Sequence, residues 1–573
     1  MLYLKKDFEK KMFLDSMAVL DQKYDPAVRM CTSYRGKNGY HSRLSDCTVH
    51  EIRLSFEYAY LLLVRDAEGD RARAWDILYR VIALQDMNPA RNTYGIWQYY
   101  LEEDLEEMNP PDWNWADFNG KTLLRILAEY PERIPADLQA RIRDSIGHAC
   151  RAIIKRNVGP GYTNISIMGA YVTIYAGELL GIAEFFEYGK QRLQKLYDFN
   201  MSHNNFSEFN SPTYTFVCVR DLAAFRSAVK DPQCLRLAAE LEELAWETVA
   251  LHYHTATGQL AGPHDRAYAM LLDRGTKLSV ERALDYRISL LDSHDFIPGA
   301  EMFTLDLRCP EKFIPYFTEP SKETVLDQTF APGRMAYTYM SEKFTLGSLH
   351  REVAWNQHRN VLGYFGSVEK PVAVCVKCLH DDWDYCSGIM ATIQDKNRTL
   401  TAFGFADNGG DTHVNLDMVK NKAISAADLR IRTLFEGAVE ALTAEQEGER
   451  TFLVTHENGL KIRVSYPLAM FGDTPVTYEI VRVGNKLGID AVLYHGERTT
   501  LDFTAIAPTA VCVALEMDAA DGTVPAEAEI IDERLICRWD NLRAEIRAIP
   551  DDRGIILQSH ALYRDGQAYT PAF

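Results

Sequence analysis

The chain has 573 residues, 47% hydrophobic and 25% charged, with a formal net charge of -19 and a pI near 5.3. That composition is ordinary for a globular protein with large cores, and the length allows roughly two to four domains. So acidic a surface repels nucleic acid and anionic membranes, which excludes both as expected partners, and an acidic substrate would have to meet a local cationic pocket.

The first residues, MLYLKKDFEKKMFLDSM, are charged throughout and lack the apolar run of a signal peptide. No segment approaches the roughly 20 apolar residues of a membrane span, so the sequence as given reads as cytoplasmic. From about residue 50 to 295 the hydrophobic period is helical. Helices are predicted over Glu51 to Arg65, Ala72 to Leu84, Pro135 to Lys155, Asn164 to Leu180, Ala183 to Tyr197, Phe216 to Val229, Pro232 to Tyr253 and Val280 to Leu291. Many helices of similar length in succession suggest hairpins stacked around an axis. The joints, such as Met108 to Trp115 and Val158 to Tyr162, are rich in Pro, Gly and Asn.

The character changes near Pro298. A proline-bearing stretch over 301–334 reads as a linker, and from Met335 short β-rich runs dominate, among them Val372 to Val376, Thr399 to Phe405, Val476 to Val483 and Val511 to Leu515. Asp417 to Leu442 reads as a helical insertion. The expected chain is α+β: helical over 1–300, linker over 301–334, antiparallel β-sandwich over 335–573. The eleven irregularly spaced cysteines read as buried thiols. Cys375, Cys378, His380 and Cys386 are the densest group, but positions three apart on a strand face opposite ways, so no metal site is expected.

Polar groups interrupt the apolar pattern at three places. In GYTNISIMGAYVTIYAGELLG, Thr163 reads as a helix cap, with Asn164 in the first turn, where an amide and backbone N–H groups can meet an anion. In NFSEFNSPTYTFVCVR, Glu208, Asn210, Ser211 and Tyr214 precede a helix, with Pro212 near its start. In GQLAGPHDRAY, His264, Arg266 and Tyr268 put a proton carrier, a fixed cation and a phenol within five residues. Each has a plain structural alternative: a cap, a buried tyrosine, and a surface Asp265–Arg266 pair.

The run Ser207 to Tyr214 resembles the tyrosine-bearing motif of heparinase II/III-like and related alginate lyases, where an S-P-x-Y segment with a glutamate shortly before it carries the catalytic tyrosine. The helix at Thr163-Asn164 is similar to that family's preceding helix, whose asparagine binds the substrate carboxylate. The resemblance implies an α/α toroid followed by an antiparallel β-sandwich, and β-elimination on a uronic-acid-containing glycan without a metal or other cofactor. There are departures. Ile165 stands where many relatives have histidine, and the usual signature in the sandwich domain is not found. His264, and His350 and His358 in LHREVAWNQHRN, are the substitutes for the general base.

The residue types suit that chemistry. Removing the C5 proton of a uronate builds enolate-like charge, which Asn164 with Arg266 or a histidine would stabilise. Tyr214 could take that proton and protonate the leaving O4 if the departing groups are syn. Trp97, Trp113, Trp115 and Trp355 are candidate sugar platforms, and Arg266, Tyr268, Asn210 and Glu208 candidate substrate contacts. A glycoside hydrolase using two of Asp112, Asp117, Glu208 and Asp265, or a non-catalytic carbohydrate-binding protein, fits the same composition.

Overall fold

The structure, a computed structural model, describes residues 1–37, 40–411 and 418–570. It divides into two compact units that interleave along the chain. The first holds Met1–Asn204, Thr215–Trp246 and Arg274–Pro310; the second holds Asn205–Tyr214, Glu247–Asp273 and Glu311–Phe573. Helix gives way to sheet after about residue 300, but the stretch expected as a linker holds a short helix, Ile314–Thr318, and a strand, Thr324–Ala331, and two segments of the helical half belong to the sheet-rich unit.

The helical unit contains α1 (Asp7–Lys23), α2 (Ile52–Arg65), α3 (Asp70–Ile82), α4 (Trp115–Glu129), α5 (Ala136–Arg156), α6 (Thr163–Leu180) and α7 (Ala183–Met201). In α2, Ile52, Ser55, Phe56 and every residue from Tyr58 to Leu63 are buried, as expected of a helix apolar on nearly all sides. In contrast, α5 buries a stripe through Leu138, Ile142, Ile146, Ala149 and Ile153, so it packs on one side. Helix α2 packs on α3 and α4, α4 on α5 and α6, α6 on α7, and α3 on α5. Each hairpin lies beside the next, which is the arrangement of an α/α toroid. The sequence reading missed α1, α4 and a small sheet of Tyr24–Asp25, Met30–Arg35 and Cys47–Glu51. The expected helix at Val280 to Leu291 ends instead at Ala283, because Asp285 and Tyr286 take left-handed backbone angles.

Among the described residues the second unit has three large sheets, of nine, seven and five strands, and every ladder between named strands in them is antiparallel. The seven-stranded sheet is covered on both faces. Along Thr509–Met517, Val511, Val513 and Leu515 enter a core shared with the nine-stranded sheet, which supplies Val374, Ile431 and Ile489. The alternate residues Ala510, Cys512 and Ala514 enter a second core with Leu535, Cys537 and Ala544 of the five-stranded sheet. The side-chain period of two explains the split, with larger residues on one face and smaller ones on the other.

The helical insertion expected over Asp417 to Leu442 is not there. Ala423–Gly437 is a 15-residue strand paired to Lys486–Asp502, followed by a short 3-10 turn, while Asp417 itself lies outside the described residues. Its alternation Leu429, Ile431, Thr433, Phe435 is a strand period, which Ala- and Glu-rich flanks disguised. Cys375 and Cys378 lie on one strand and enter different clusters, as their spacing required.

Candidate functional site

Three loops of the sheet unit build a polar cluster around Arg266. Ser211 joins the first two: its hydroxyl accepts from the Tyr214 N–H at 2.9 Å and donates to the Arg266 carbonyl. A serine followed by proline and then Tyr214 is a helix start, since the hydroxyl satisfies a first-turn N–H and proline needs none. Asn210, at φ 47°, turns its amide back to the carbonyls of Ala261 and Pro263, at 2.7 and 3.0 Å. The Gly262-Pro263 segment then rests on the strand Phe344–Leu349. A Cβ on Gly347 would lie 1.9 Å from the Gly262 oxygen, so only glycine admits the loop there. The third loop, 353–360, pairs with it through Ala267 N–H to Gln357 O at 2.7 Å and Arg359 N–H to His264 O at 2.9 Å.

That scaffold fixes the Arg266 guanidinium by all three nitrogens. Nη1 donates to Glu208 Oε1 at 2.7 Å, Nε to Gln357 Oε1 at 3.0 Å and Nη2 to the Tyr214 hydroxyl at 3.1 Å. Its carbon lies 4.3 Å over the Tyr214 ring and 5.5 Å from that of Trp355. The Tyr214 oxygen is 2.6 Å from that of Tyr268, a residue 55% exposed. Glu208 is buried, so its carboxylate serves to hold Arg266.

Beside it runs a second set of charges. Arg334 pairs with both Asp265 and Glu352. Burial opposes its charge, but the two carboxylates outweigh burial and raise its pKa. His358 lies between the same acids, with Nε2 3.4 Å from Asp265 and Nδ1 3.8 Å from Glu352. Its Nδ1 is also 3.1 Å from the Val353 carbonyl, which can only accept, so that nitrogen carries a proton. The Trp355 ring meets His358 edge-on at 5.2 Å, and its N–H donates to Asp411 at 3.0 Å. Asp265 therefore pairs with Arg334 and His358 and not with its neighbour Arg266.

The structure thus brings together Tyr214, Arg266, Tyr268, Glu208, Trp355 and His358, and gives other expected residues different work. His264 is 1% exposed, 3.3 Å from the Tyr364 hydroxyl, and burial pushes its pKa down to about 3. His350 is likewise buried and pushed down to about 3, its Nδ1 accepting from the Met335 N–H. Neither imidazole is placed as a base that a sugar could reach. Asn210 is buried and its amide clasps the 261–263 loop. Trp97 is a core residue, 0% exposed, donating to Val81 O and edge-on to Phe56. Trp115 stacks on Tyr99 and Trp113 donates to Asn92 O. Asn164 is in the first turn of α6, in the helical unit, and buried; the helix begins at Thr163, with Tyr162 at the cap position. Gln357, Arg334, Glu352 and Asp411 were missed. Of these Glu352 and Gln357 had a sequence signal, their position inside LHREVAWNQHRN.

Among the described residues no group of His, Cys, Asp or Glu is arranged to hold a metal ion, and no helix is long and apolar enough to cross a membrane. Residues 10–282 match a family model described as a domain of unknown function (DUF8769). No curated protein matches the chain. Among solved structures, the chain is similar to heparinase III at 11% identity and a TM-score of 0.42, with 91% of this chain and 82% of that one covered. It is also similar to the heparan sulfate lyase HepC from Pedobacter heparinus at 8% identity and a TM-score of 0.37, with 99% and 89% covered. Likenesses that distant decide nothing about the chemistry.

Proposed function

We propose that this chain is a lyase that cleaves a uronic-acid-containing oligosaccharide or polysaccharide by β-elimination, with Tyr214 moving the proton. The observation that carries the reading is the contact between the Tyr214 oxygen and an Arg266 guanidinium held in turn by Glu208 and Gln357. A cation fixed at a phenol oxygen favours the phenolate, the form able to take a proton from carbon. The C5–H bond breaks toward that oxygen, its electrons form C4=C5, and the C4–O4 bond breaks. The departing O4 then takes the proton. Trp355 is the sugar platform in this reading. Asn164 is assigned to the uronate carboxylate on its motif alone.

A hydrolase would need two carboxylates facing one glycosidic bond. In the cluster Glu208 is committed to Arg266, and Asp265 to Arg334 and His358. The test is to incubate the purified protein with uronate-containing oligosaccharides and follow the ultraviolet absorbance of the conjugated C4=C5 product. Wild type should generate it and Tyr214→Phe should not. New reducing ends without that absorbance would mean hydrolysis and would overturn the proposal.

A further inference from the structure

We propose that Tyr214 rests as its phenolate and that Tyr268 is the positioning residue that keeps it so, by donating its own hydroxyl proton to the Tyr214 oxygen. The catalytic consequence rests on the lyase reading; the phenolate itself does not. Arg266 has no acceptor and never gives up its charge, so the 3.1 Å contact from Nη2 is a donation to Tyr214. The two phenol oxygens are 2.6 Å apart, so one phenol donates to the other. With the guanidinium carbon 4.3 Å over the ring as well, one phenol receives three contacts that favour negative charge.

The asymmetry between the two tyrosines says which one donates. Tyr214 has the arginine at its oxygen and over its face. Among the described residues no lysine or arginine donates to Tyr268, which is 55% exposed and can exchange its proton with water. Glu208 accepts from Nη1 and compensates part of the cation, while Nη2 donates to Tyr214. Asp265, His358, Arg334 and Glu352 pair among themselves. In the elimination the phenolate takes the C5 proton and hands it to O4, which returns the phenolate. Tyr268 stays protonated throughout.

The experiment is an ultraviolet titration of tyrosinate on the full chain, without substrate. The chain has 30 tyrosines, so the signal is isolated by subtracting the Tyr214→Phe titration from that of wild type. A single-tyrosine step should appear well below the ordinary phenol value of about 10. In Tyr268→Phe that step should move up by about one to two pH units, the worth of one hydrogen bond to a charged group. The acid limb of turnover should move with it and recover at high pH. Tyr268 is exposed and keeps its ring, so the variant should melt like wild type. Arg266→Lys, which keeps a cation but loses the fork, provides a second shift in the same direction. A wild-type step near 10, or one that does not move in Tyr268→Phe, would overturn the proposal. A low, movable step in a protein that makes no unsaturated product would sink the lyase reading and leave the phenolate standing.

Discussion

The two units differ in the ionisable groups they bury. In the helical unit the buried groups are acids and their cations. Glu9 and Arg282, both essentially inaccessible, meet at 2.7 Å and tie α1 to the helix Arg274–Ala283. Lys121 reaches buried Asp221 at 2.6 Å, and burial holds the Asp117 carboxyl up to about 7, although Arg192 and Arg156 oppose it. The sheet unit buries such pairs too, among them Glu208–Arg266 and Asp490–Arg430, and adds a set of buried histidines. His252, His254, His264 and His350 are all inaccessible and held by burial at about 3 to 4. A histidine in this sheet unit is thus more often a neutral hydrogen-bonding core residue than a proton carrier, and the exposed chemistry falls to phenols and a guanidinium.

The largest effect that sharpens this contrast is on turnover. Tyr214→Phe should lose about a hundred- to ten-thousand-fold in rate while folding normally, since only a hydroxyl is removed. His264→Gln and His350→Gln should keep their rate on the same substrate and lose thermal stability instead. Equal losses of rate from Tyr214→Phe and His264→Gln would break the division. Asn164→Ala should also impair turnover, by weakening stabilisation of the carboxylate's developing charge.

Next in size is the buried pair of the helical unit. Glu9→Gln leaves Arg282 buried and uncompensated, for which about 3–5 kcal/mol of stability is expected to be lost in a denaturant melt. A change within 0.5 kcal/mol, roughly the scatter of a surface substitution, would show that the pair is not isolated from water.

The pH responses should run in opposite directions. The unfolded chain protonates its histidines near 6.5, whereas the folded sheet unit resists until about 3 to 4. Its stability should therefore fall as pH drops below about 6.5. Asp117 has its folded pKa raised, to about 7 against an ordinary 3.8. Its contribution is present below about 4 and is lost as pH rises toward 7, a difference of order a few kcal/mol. Asp117→Asn should remove that loss, and melts between pH 4 and 8 would show it. A variant with the same pH profile as wild type would refute the role given to this carboxyl.

The smallest expected effects separate the tryptophans. Trp97→Phe loses a buried ring and its bond to Val81, so it should lower stability by about 1–3 kcal/mol with no change in KM. Trp355→Phe should do the reverse. A KM effect from Trp97→Phe would return it to the list of sugar platforms.

Much of the fold could be read directly from residue order. The stripe in α5 and the alternation along Thr509–Met517 are local periods, and burial follows period without reference to the rest of the chain. The Ser211-Pro212-Thr213-Tyr214 start is equally local, because its serine, proline and first-turn N–H lie within four residues. Where local patterns conflicted with partners far away, the reading failed. Ala423–Gly437 is a strand because Lys486–Asp502 and Pro371–His380 pair with its two edges. Roles of polar residues were beyond the sequence altogether. His264, Arg266 and Tyr268 sit within five positions, yet the first is core, the second a clamp and the third exposed. What separates them is the seating of one loop on the Gly347 strand and against residues 357–359, contacts made across some ninety positions of chain. Period and capping depend on near neighbours and can be read in order; the partner of a charge depends on which distant backbone comes within 3 Å, and only the tertiary structure decides that.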